Sequence, residues 1–148
     1  MSLKPFAKQE VAYSIGYAKI NHIPIEYKNG ALSIAEFTAD LYVSVGEVTD
    51  VFPQNHTERN RPSTPGPCFE FHAKIPGKMS GAPVFGGQGA VIRGVVSRSF
   101  GDQRHAHGSM LGPAMQLPLN EPQTSGRTLR SLMQEGNEGI AQVHGMGL

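Results

Sequence analysis

The chain has 148 residues, with 13 lysines and arginines against 12 aspartates and glutamates, which gives a formal charge of +1. A charge this close to zero argues against a nucleic-acid-binding protein, because neutralising phosphates requires a basic surface. The 18 glycines and 11 prolines exclude a helical bundle and suit a single all-β domain with many turns. No stretch reaches the roughly 18 apolar residues of a membrane span.

The compartment is indicated by two features of the sequence. The N-terminus lacks the charged-then-apolar pattern of a secretory signal. The single cysteine, Cys68, cannot form an intrachain disulfide, which favours a reducing environment. We therefore expect a cytoplasmic protein.

Short strands separated by turns are predicted over residues 11–119, after a polar lead-in at 1–10. The first β-rich run covers 11–17. Asn29-Gly30 is typical of a two-residue hairpin turn, because both residues tolerate positive φ. This turn predicts a hairpin that joins the segments 23–27 and 31–37.

The longest predicted strand covers residues 41–52. Its apolar residues fall mostly on odd positions, a period of two that predicts one buried face. Gly46 within it suggests a bulge or a bend. The following segment, 53–67, is polar and proline-rich and predicts a surface loop.

The rest of the chain is predicted as four strands, a helix and a tail. The strands are Cys68–Ile75, Pro83–Phe85, Ala90–Phe100 and Ser109–Leu117, the last preceded by a loop rich in glycine and histidine. Within the segment 120–135, Thr124 or Ser125 can cap a helix that ends near Glu135. The glycine-rich tail, 136–148, is expected to be mobile.

One segment carries candidate chemistry, a serine in a tight turn before a predicted strand. Ser80 is followed by Gly81, which leaves room for a substrate backbone. The N–H groups of such a turn can converge on one point, as an oxyanion site requires. Taken alone, the segment is more simply a β-turn. It is not the elbow of α/β-hydrolases, since Lys78 and Ala82 stand where that motif has glycine.

Two linked motifs resemble the trypsin-like serine peptidases. Met79-Ser80-Gly81-Ala82-Pro83-Val84-Phe85 resembles the family's nucleophile segment, Gly-x-Ser-Gly-Gly-Pro-[Val/Leu], especially that of bacterial members without disulfides. Gly94-Val95-Val96-Ser97 resembles the Gly-[Ile/Val]-Val-Ser strand that pairs with substrate beside the specificity pocket. The resemblance covers about residues 11–135. It implies the second of the family's two six-stranded antiparallel β-barrels, with its closing helix.

The resemblance implies a role for each matching position. Ser80 would be the nucleophile, and the amides of Lys78 and Ser80 would form the oxyanion hole. Lys74 stands where the family often has the residue at the floor of its pocket, and would favour an acidic substrate side chain; the simpler interpretation is a solvated strand residue. The substrate side would be lined by Gly94, Val96, Ser97, Arg98 and Ser99.

Two departures from the family pattern lie in the nucleophile segment. Lys78 replaces the usual glycine, so a turn that needs positive φ would be strained there or its peptide flipped. A flipped peptide would remove an oxyanion donor, at a cost of roughly 3–4 kcal/mol of transition-state stabilisation. Ala82 in place of the second glycine is a milder change.

The larger departure is the missing base. In the family the catalytic histidine and aspartate come from the first barrel, but only 79 residues precede Ser80 here, and most of them are required for the second barrel. His22, His56 and His72 are more simply surface or strand histidines. A serine without a base is a poor nucleophile, so we predict that the chain alone is proteolytically inactive.

Three hypotheses follow for the function. In the first, the chain is the C-terminal half of a trypsin-like serine endopeptidase that acts on peptides or proteins. In the second, it is a peptidase-derived module that binds extended peptides by β-pairing along Gly94–Ser99 without cleaving them. A plain β-barrel interaction protein is the third. A barrel separated from its companion exposes an apolar flank, so we expect a missing N-terminal barrel or a homo-oligomer as partner, and neither nucleic acid nor membrane.

No cofactor and no metal is expected. His105-Ala106-His107 places two imidazoles on one strand face and could form a metal pair. No third ligand is evident nearby in the sequence, so a solvated loop is the favoured interpretation. Cys68 is interpreted as a small buried hydrophobe rather than a nucleophile.

Overall fold

The computed structural model describes most of the chain as strands. The described residues are 1–22, 27–28, 31–32, 37–58, 61–87, 89, 91–100, 104–119 and 126–135. The strands are β1 (Val11–His22), β2 (Tyr27–Lys28), β3 (Ala31–Leu32), β4 (Phe37–Phe52), β5 (Cys68–His72), β6 (Pro83–Gly86), β7 (Ile92–Ser99) and β8 (Ala106–Met110). A 3-10 helix (Pro113–Gln116) and helix α1 (Leu129–Glu135) follow. Across these ranges, no helix has the length and apolar character needed to cross a membrane.

Six of the strands close into an antiparallel barrel. Their order is β1-β4-β5-β8-β7-β6, and β6 pairs back to β1. The predicted fold, an all-β chain with a six-stranded antiparallel barrel and a C-terminal helix, is therefore confirmed. The hairpin of β2 and β3 lies apart from the barrel; its predicted turn, Asn29-Gly30, lies outside the described residues.

The barrel interior is filled around Phe69 of β5. Its ring lies 4.4 Å, centroid to centroid, from that of Phe6 and 5.6 Å from that of Phe71. A Cβ atom added to Gly94 or Gly108 would come within 2.7 or 2.3 Å of the Phe69 ring. The absence of side chains at these two positions is what lets the phenyl ring occupy the space between β7 and β8.

The N-terminal residues are built into the barrel rather than forming a merely polar lead-in. The Ser2 amide donates to the Ile92 carbonyl at 2.8 Å, and Phe6 is buried. The guanidinium of Arg93 lies 4.2 Å from the Phe6 ring centroid and pairs with Glu10. These contacts tie the start of the chain to β7.

The predicted buried face of β4 is wrong over its first half. Tyr17 of β1 and the odd-numbered β4 residues Leu41, Val43 and Val45 are each 60–62% exposed. Ser44, between them, is buried. A period of two shows that residues share a face but not which face is buried, and here the interior takes the small side chains.

Gly46 has a different role from the predicted bulge. The register shift of β4 against β5 falls between Val48 and Asp50. At Gly46 a Cβ atom would lie 2.2 Å from the carbonyl oxygen of His72. The glycine is required there because the two strands approach too closely for a side chain.

Two C-terminal predictions need correction. The last barrel strand is Ala106–Met110 rather than 109–117. Helix α1 begins at Leu129, and its capping residue is Thr128, whose Oγ1 accepts from the Ser131 amide at 3.2 Å. The residues first expected to cap it, within 120–125, lie outside the described residues, as does the tail.

Candidate functional site

The serine turn connects β5 to β6 across the segment 73–82. Ala73, Ile75 and Met79 are buried, whereas Ser80 is exposed. The buried side chains anchor the turn to the core, and the chain then presents the Ser80 hydroxyl to solvent. A nucleophile must be presented in this way if a substrate is to reach it.

Lys78 adopts the left-handed conformation that the oxyanion turn was expected to require. Its φ is +72°, and that of Gly81 is +89°. A non-glycine residue in this region costs about 1–2 kcal/mol. Within the described part of the chain, the amides of Lys78 and Ser80 donate to no backbone carbonyl. Two N–H groups two residues apart are thus available at the exposed serine.

The turn is fixed against β7 by backbone hydrogen bonds. The Gly81 amide donates to the Val96 carbonyl at 2.7 Å, and the Val96 amide donates to the Ala82 carbonyl at 2.9 Å. Beyond the turn, Pro83 pairs with Val95. The two segments that resemble the peptidase motifs are therefore brought into direct contact.

An open groove of about 480 Å³ runs beside Ser80. It is lined by Ile15, Tyr17 and Leu41 from β1 and β4, and by residues of the turn that include Lys78 and Ser80. At its base β1 closes on the turn, since a Cβ on Gly16 would lie 2.9 Å from that of Ala82. The groove joins the serine to the exposed apolar surface of β1 and β4.

The remaining candidate substrate residues are placed differently from one another. Val96 and Gly94 are buried in the barrel, so neither presents a side chain to a substrate. The segment 97–99 is half-buried; Arg98 and Ser99 pair with β8, and the register shifts at Ser97. Lys74 is exposed, and its carbonyl accepts from Ser44 Oγ at 2.8 Å.

The described structure places no candidate histidine base in hydrogen-bonding contact with Ser80. In the portion of the chain that the structure describes, no histidine hydrogen-bonds to Ser80. His72 is exposed at the end of β5. His22 ends β1, but its side chain lies outside the described residues. His56 belongs to a separate cluster.

Of the histidine–glutamate cluster that contains His56, the sequence identifies only His105 and His107, as a possible metal pair that was not the favoured interpretation. Glu70 of β5 pairs directly with His107 of β8, so both side chains lie on one face of the sheet. The proline-rich loop, 53–67, covers this face with His56 and Glu58. His107 is only 3% exposed. The interpretation of this histidine as part of a solvated loop is therefore wrong.

The cluster is held together by several short polar contacts. His105 Nε2 lies 3.1 Å from Glu58 Oε1, and His105 Nδ1 lies 3.2 Å from Glu70 Oε1. His107 Nε2 lies 3.5 Å from the same Glu58 oxygen but forms no hydrogen bond with it. Arg61 Nη1 donates to the other Glu58 oxygen at 2.8 Å.

The electrostatic environment separates the pKa values of the cluster. Burial, aided by the nearby His105, holds the pKa of His107 below its usual value. Burial acts to raise the pKa of Glu58, but the His105 hydrogen bond and the neighbouring His107 and Arg61 outweigh it, so that pKa is lowered. At neutral pH the cluster therefore combines a neutral imidazole with an ionised carboxylate.

The sequence signal for this cluster is a pair of two-residue spacings. His56-Thr57-Glu58 and His105-Ala106-His107 each place two ligand-type side chains on one face of extended chain. What the sequence lacks is any indication that the loop folds onto β8. Cys68, close to the same loop, is buried as expected, and burial raises the pKa of its thiol.

Comparison of the chain with protein-family models, curated proteins and solved structures finds no match. The resemblance to trypsin-like peptidases accordingly rests on the two motifs and on the local geometry around Ser80.

Proposed function

We propose that the chain is the C-terminal barrel of a trypsin-like serine endopeptidase, inactive alone, with Ser80 as the nucleophile. The observation that carries this proposal is the backbone at Lys78. Lys78 has a φ of +72° two residues before an exposed serine, a strained backbone conformation of the kind that clusters at functional sites, and its Nζ also donates to the Ile20 carbonyl at 3.4 Å. The backbone conformation leaves the amides of Lys78 and Ser80 available as a pair of donors.

These donors suit the chemistry of acyl transfer. The Ser80 hydroxyl attacks a peptide carbonyl, and the oxygen that becomes negative is received by the amides of Lys78 and Ser80. The hydrogen bonds from Gly81 and to Ala82 hold the turn before substrate arrives. Preorganised donors of this kind lower the barrier because they need no reorientation during the reaction.

The proton of the Ser80 hydroxyl needs an acceptor from outside the described residues. Loss of the base costs on the order of a millionfold in turnover, equivalent to about 8 kcal/mol. We place the histidine and the aspartate on a companion domain. That domain would confer activity without altering the turn.

The surface where the companion would bind is the β1–β4 apolar face, formed by Tyr13, Ile15, Tyr17, Leu41, Val43 and Val45. Cross-strand pairing places Ile15 opposite Val43 and Tyr17 opposite Leu41. Tyr17 and Leu41 also line the groove that contains Ser80. A domain bound on this face would therefore reach the serine, which is where its histidine is required.

The test supplies the missing base in solution. A fluorophosphonate probe should label the purified chain very slowly, and imidazole should accelerate labelling, with the adduct on Ser80 by mass spectrometry. Ser80→Ala should abolish the imidazole-dependent reaction, whereas Ser63→Ala, at an exposed serine of the proline-rich loop, should leave it unchanged. The proposed oxyanion site at Ser80 would be ruled out if imidazole accelerated labelling of Ser80→Ala, or if it did not accelerate labelling of the wild-type chain.

A second candidate function, peptide binding without cleavage, is favoured by the edge of β7. The expected pairing along Gly94–Ser99 is not open over its first part, because Gly94–Val96 is already bonded to β6 and to the serine turn. Arg98 and Ser99 pair with β8 on one side; on the other side, no strand of the described structure pairs with 97–99. An extended peptide could pair there. In this case Ser80→Ala would bind peptide as the wild type does. Added peptide would change the amide NMR shifts of residues 97–99 but not those of residues 78–80.

A further inference from the structure

The histidine–glutamate cluster under the proline-rich loop contains one atom that protein contacts do not satisfy. His107 is 3% exposed, and in the described part of the chain its Nε2 has no hydrogen-bond partner. Its Nδ1 lies 3.2 Å from Thr64 Oγ1. If Nδ1 carries the proton and donates to Thr64, Nε2 holds a lone pair directed into the cluster. A buried polar atom without a partner is costly and points to a missing one.

Two residues of the loop complete a set of ligands around this nitrogen. The ligating atoms of His56, Glu58 and His107 all lie within 4.8 Å of one another. Glu58 Oε1 is 3.5 Å from His107 Nε2. A tetrahedral zinc ion with bonds of 2.0–2.2 Å separates its ligand atoms by about 3.3–3.6 Å, so separations of up to 4.8 Å would have to be closed by side-chain rotations.

We propose that His56, Glu58 and His107 bind one Zn²⁺ ion. Imidazole nitrogen and carboxylate oxygen are ligands that zinc accepts readily. The three ligands come from two elements, the loop and β8. The ion would fasten the loop to the barrel.

The surroundings of the three ligands resemble the supporting contacts of metal sites, in which ligands are oriented by further hydrogen bonds. Thr64 is positioned to orient the His107 ring. Arg61 holds the Glu58 oxygen that does not face His107.

A second trio shares the same nitrogen, namely Glu70, His105 and His107. We assign the ion to the first trio because both ring nitrogens of His105 already face carboxylates, at 3.1 and 3.2 Å. His105 is thus a positioning residue that links Glu58 to Glu70. The assignment predicts different consequences for substitution of the two glutamates.

The experiment uses the full 148-residue chain freed of metal with EDTA and titrated with ZnCl₂ by calorimetry. We expect one zinc ion per chain. Glu58→Gln and His56→Ala should each weaken binding by at least about tenfold, and both side chains are half-buried, so neither change opens the core. His72→Ala, an exposed strand histidine, is the matched control and should bind as the wild type does.

Titration with Co²⁺ gives a second readout, because tetrahedral coordination produces intense visible absorption. These bands should appear with the wild-type chain and be lost in Glu58→Gln. The proposal is overturned if the wild-type chain binds neither ion, if His72→Ala weakens binding as much as His56→Ala, or if Glu70→Gln abolishes binding while Glu58→Gln does not. The circular dichroism spectrum of each variant checks that the barrel is intact.

Discussion

The amide of Gly81 donates to the carbonyl of Val96 at 2.7 Å, and this bond joins the serine turn to the middle of β7. The reciprocal bond from the Val96 amide to Ala82 makes the contact a two-point attachment. The turn is therefore fixed by the barrel itself. Rigidity at this position is what an oxyanion site needs, because its donors must be oriented before charge develops.

The strain at Lys78 gives the first prediction. Lys78→Gly should raise the free energy of unfolding by about 0.5–1 kcal/mol, because glycine removes a penalty of about 1–2 kcal/mol while loosening the unfolded chain. The matched control is Lys74→Gly, an exposed residue nearby without positive φ, which should lower it by about 0.5–1 kcal/mol. Urea denaturation measures both. Destabilisation by Lys78→Gly would show that the lysine side chain, not the backbone, matters there.

The contact of Gly94 with Phe69 gives the second prediction. A Cβ at residue 94 would lie 2.7 Å from the ring, so Gly94→Ala should lower the free energy of unfolding by about 1–3 kcal/mol through overpacking. Gly77→Ala, where a Cβ meets nothing within 4 Å, should change it by less than about 0.5 kcal/mol. Equal effects of the two substitutions in chemical denaturation would contradict the packing described for β7.

The β1–β4 apolar face gives the third prediction. The isolated chain should associate as its concentration rises, because an exposed apolar patch of this kind favours burial against another surface. Val43→Lys should shift it toward the monomer in sedimentation velocity experiments. Thr38→Lys, which adds the same charge to an exposed position of β4, is the control. A wild-type chain that stays monomeric at high concentration would remove this face as a binding surface.

The buried thiol gives the fourth prediction. Burial raises the pKa of Cys68, so less thiolate forms at a given pH, and iodoacetamide should alkylate the folded chain slowly at pH 8. In denaturant the reaction should become fast. The same shift implies that the free energy of unfolding falls as pH rises beyond the usual thiol pKa of 9.0, because the unfolded thiol ionises first. Equal alkylation rates in both states would show that the thiol is accessible.

The sequence predicts the barrel well because strand signals are local. Turn residues and β-rich runs place most strands within a few residues of their observed bounds. No local signal indicates which face of β4 is buried. That depends on the whole barrel, whose interior leaves too little space for a side chain such as Val43. A period of two in the sequence is compatible with burial of either face of β4. Only closure of the barrel determines which face points inward.

The serine turn can be predicted from local sequence, whereas the histidine–glutamate cluster cannot. Ser80 and its turn lie within one short segment, so a motif finds them. The histidine cluster joins His56 to His107 across 50 intervening residues, and its formation depends on a loop folding onto the outer face of the sheet. Neither spacing by itself indicates that contact.

The central claim is that the amides of Lys78 and Ser80 form an oxyanion hole. A crystal structure of the chain with Ser80 phosphonylated tests this claim most directly. The account predicts one phosphonyl oxygen about 2.7–3.1 Å from both amide nitrogens, with the turn still bonded to Val96. An adduct whose oxygens all face solvent, or a turn whose Lys78 peptide points away from the phosphorus, would contradict it.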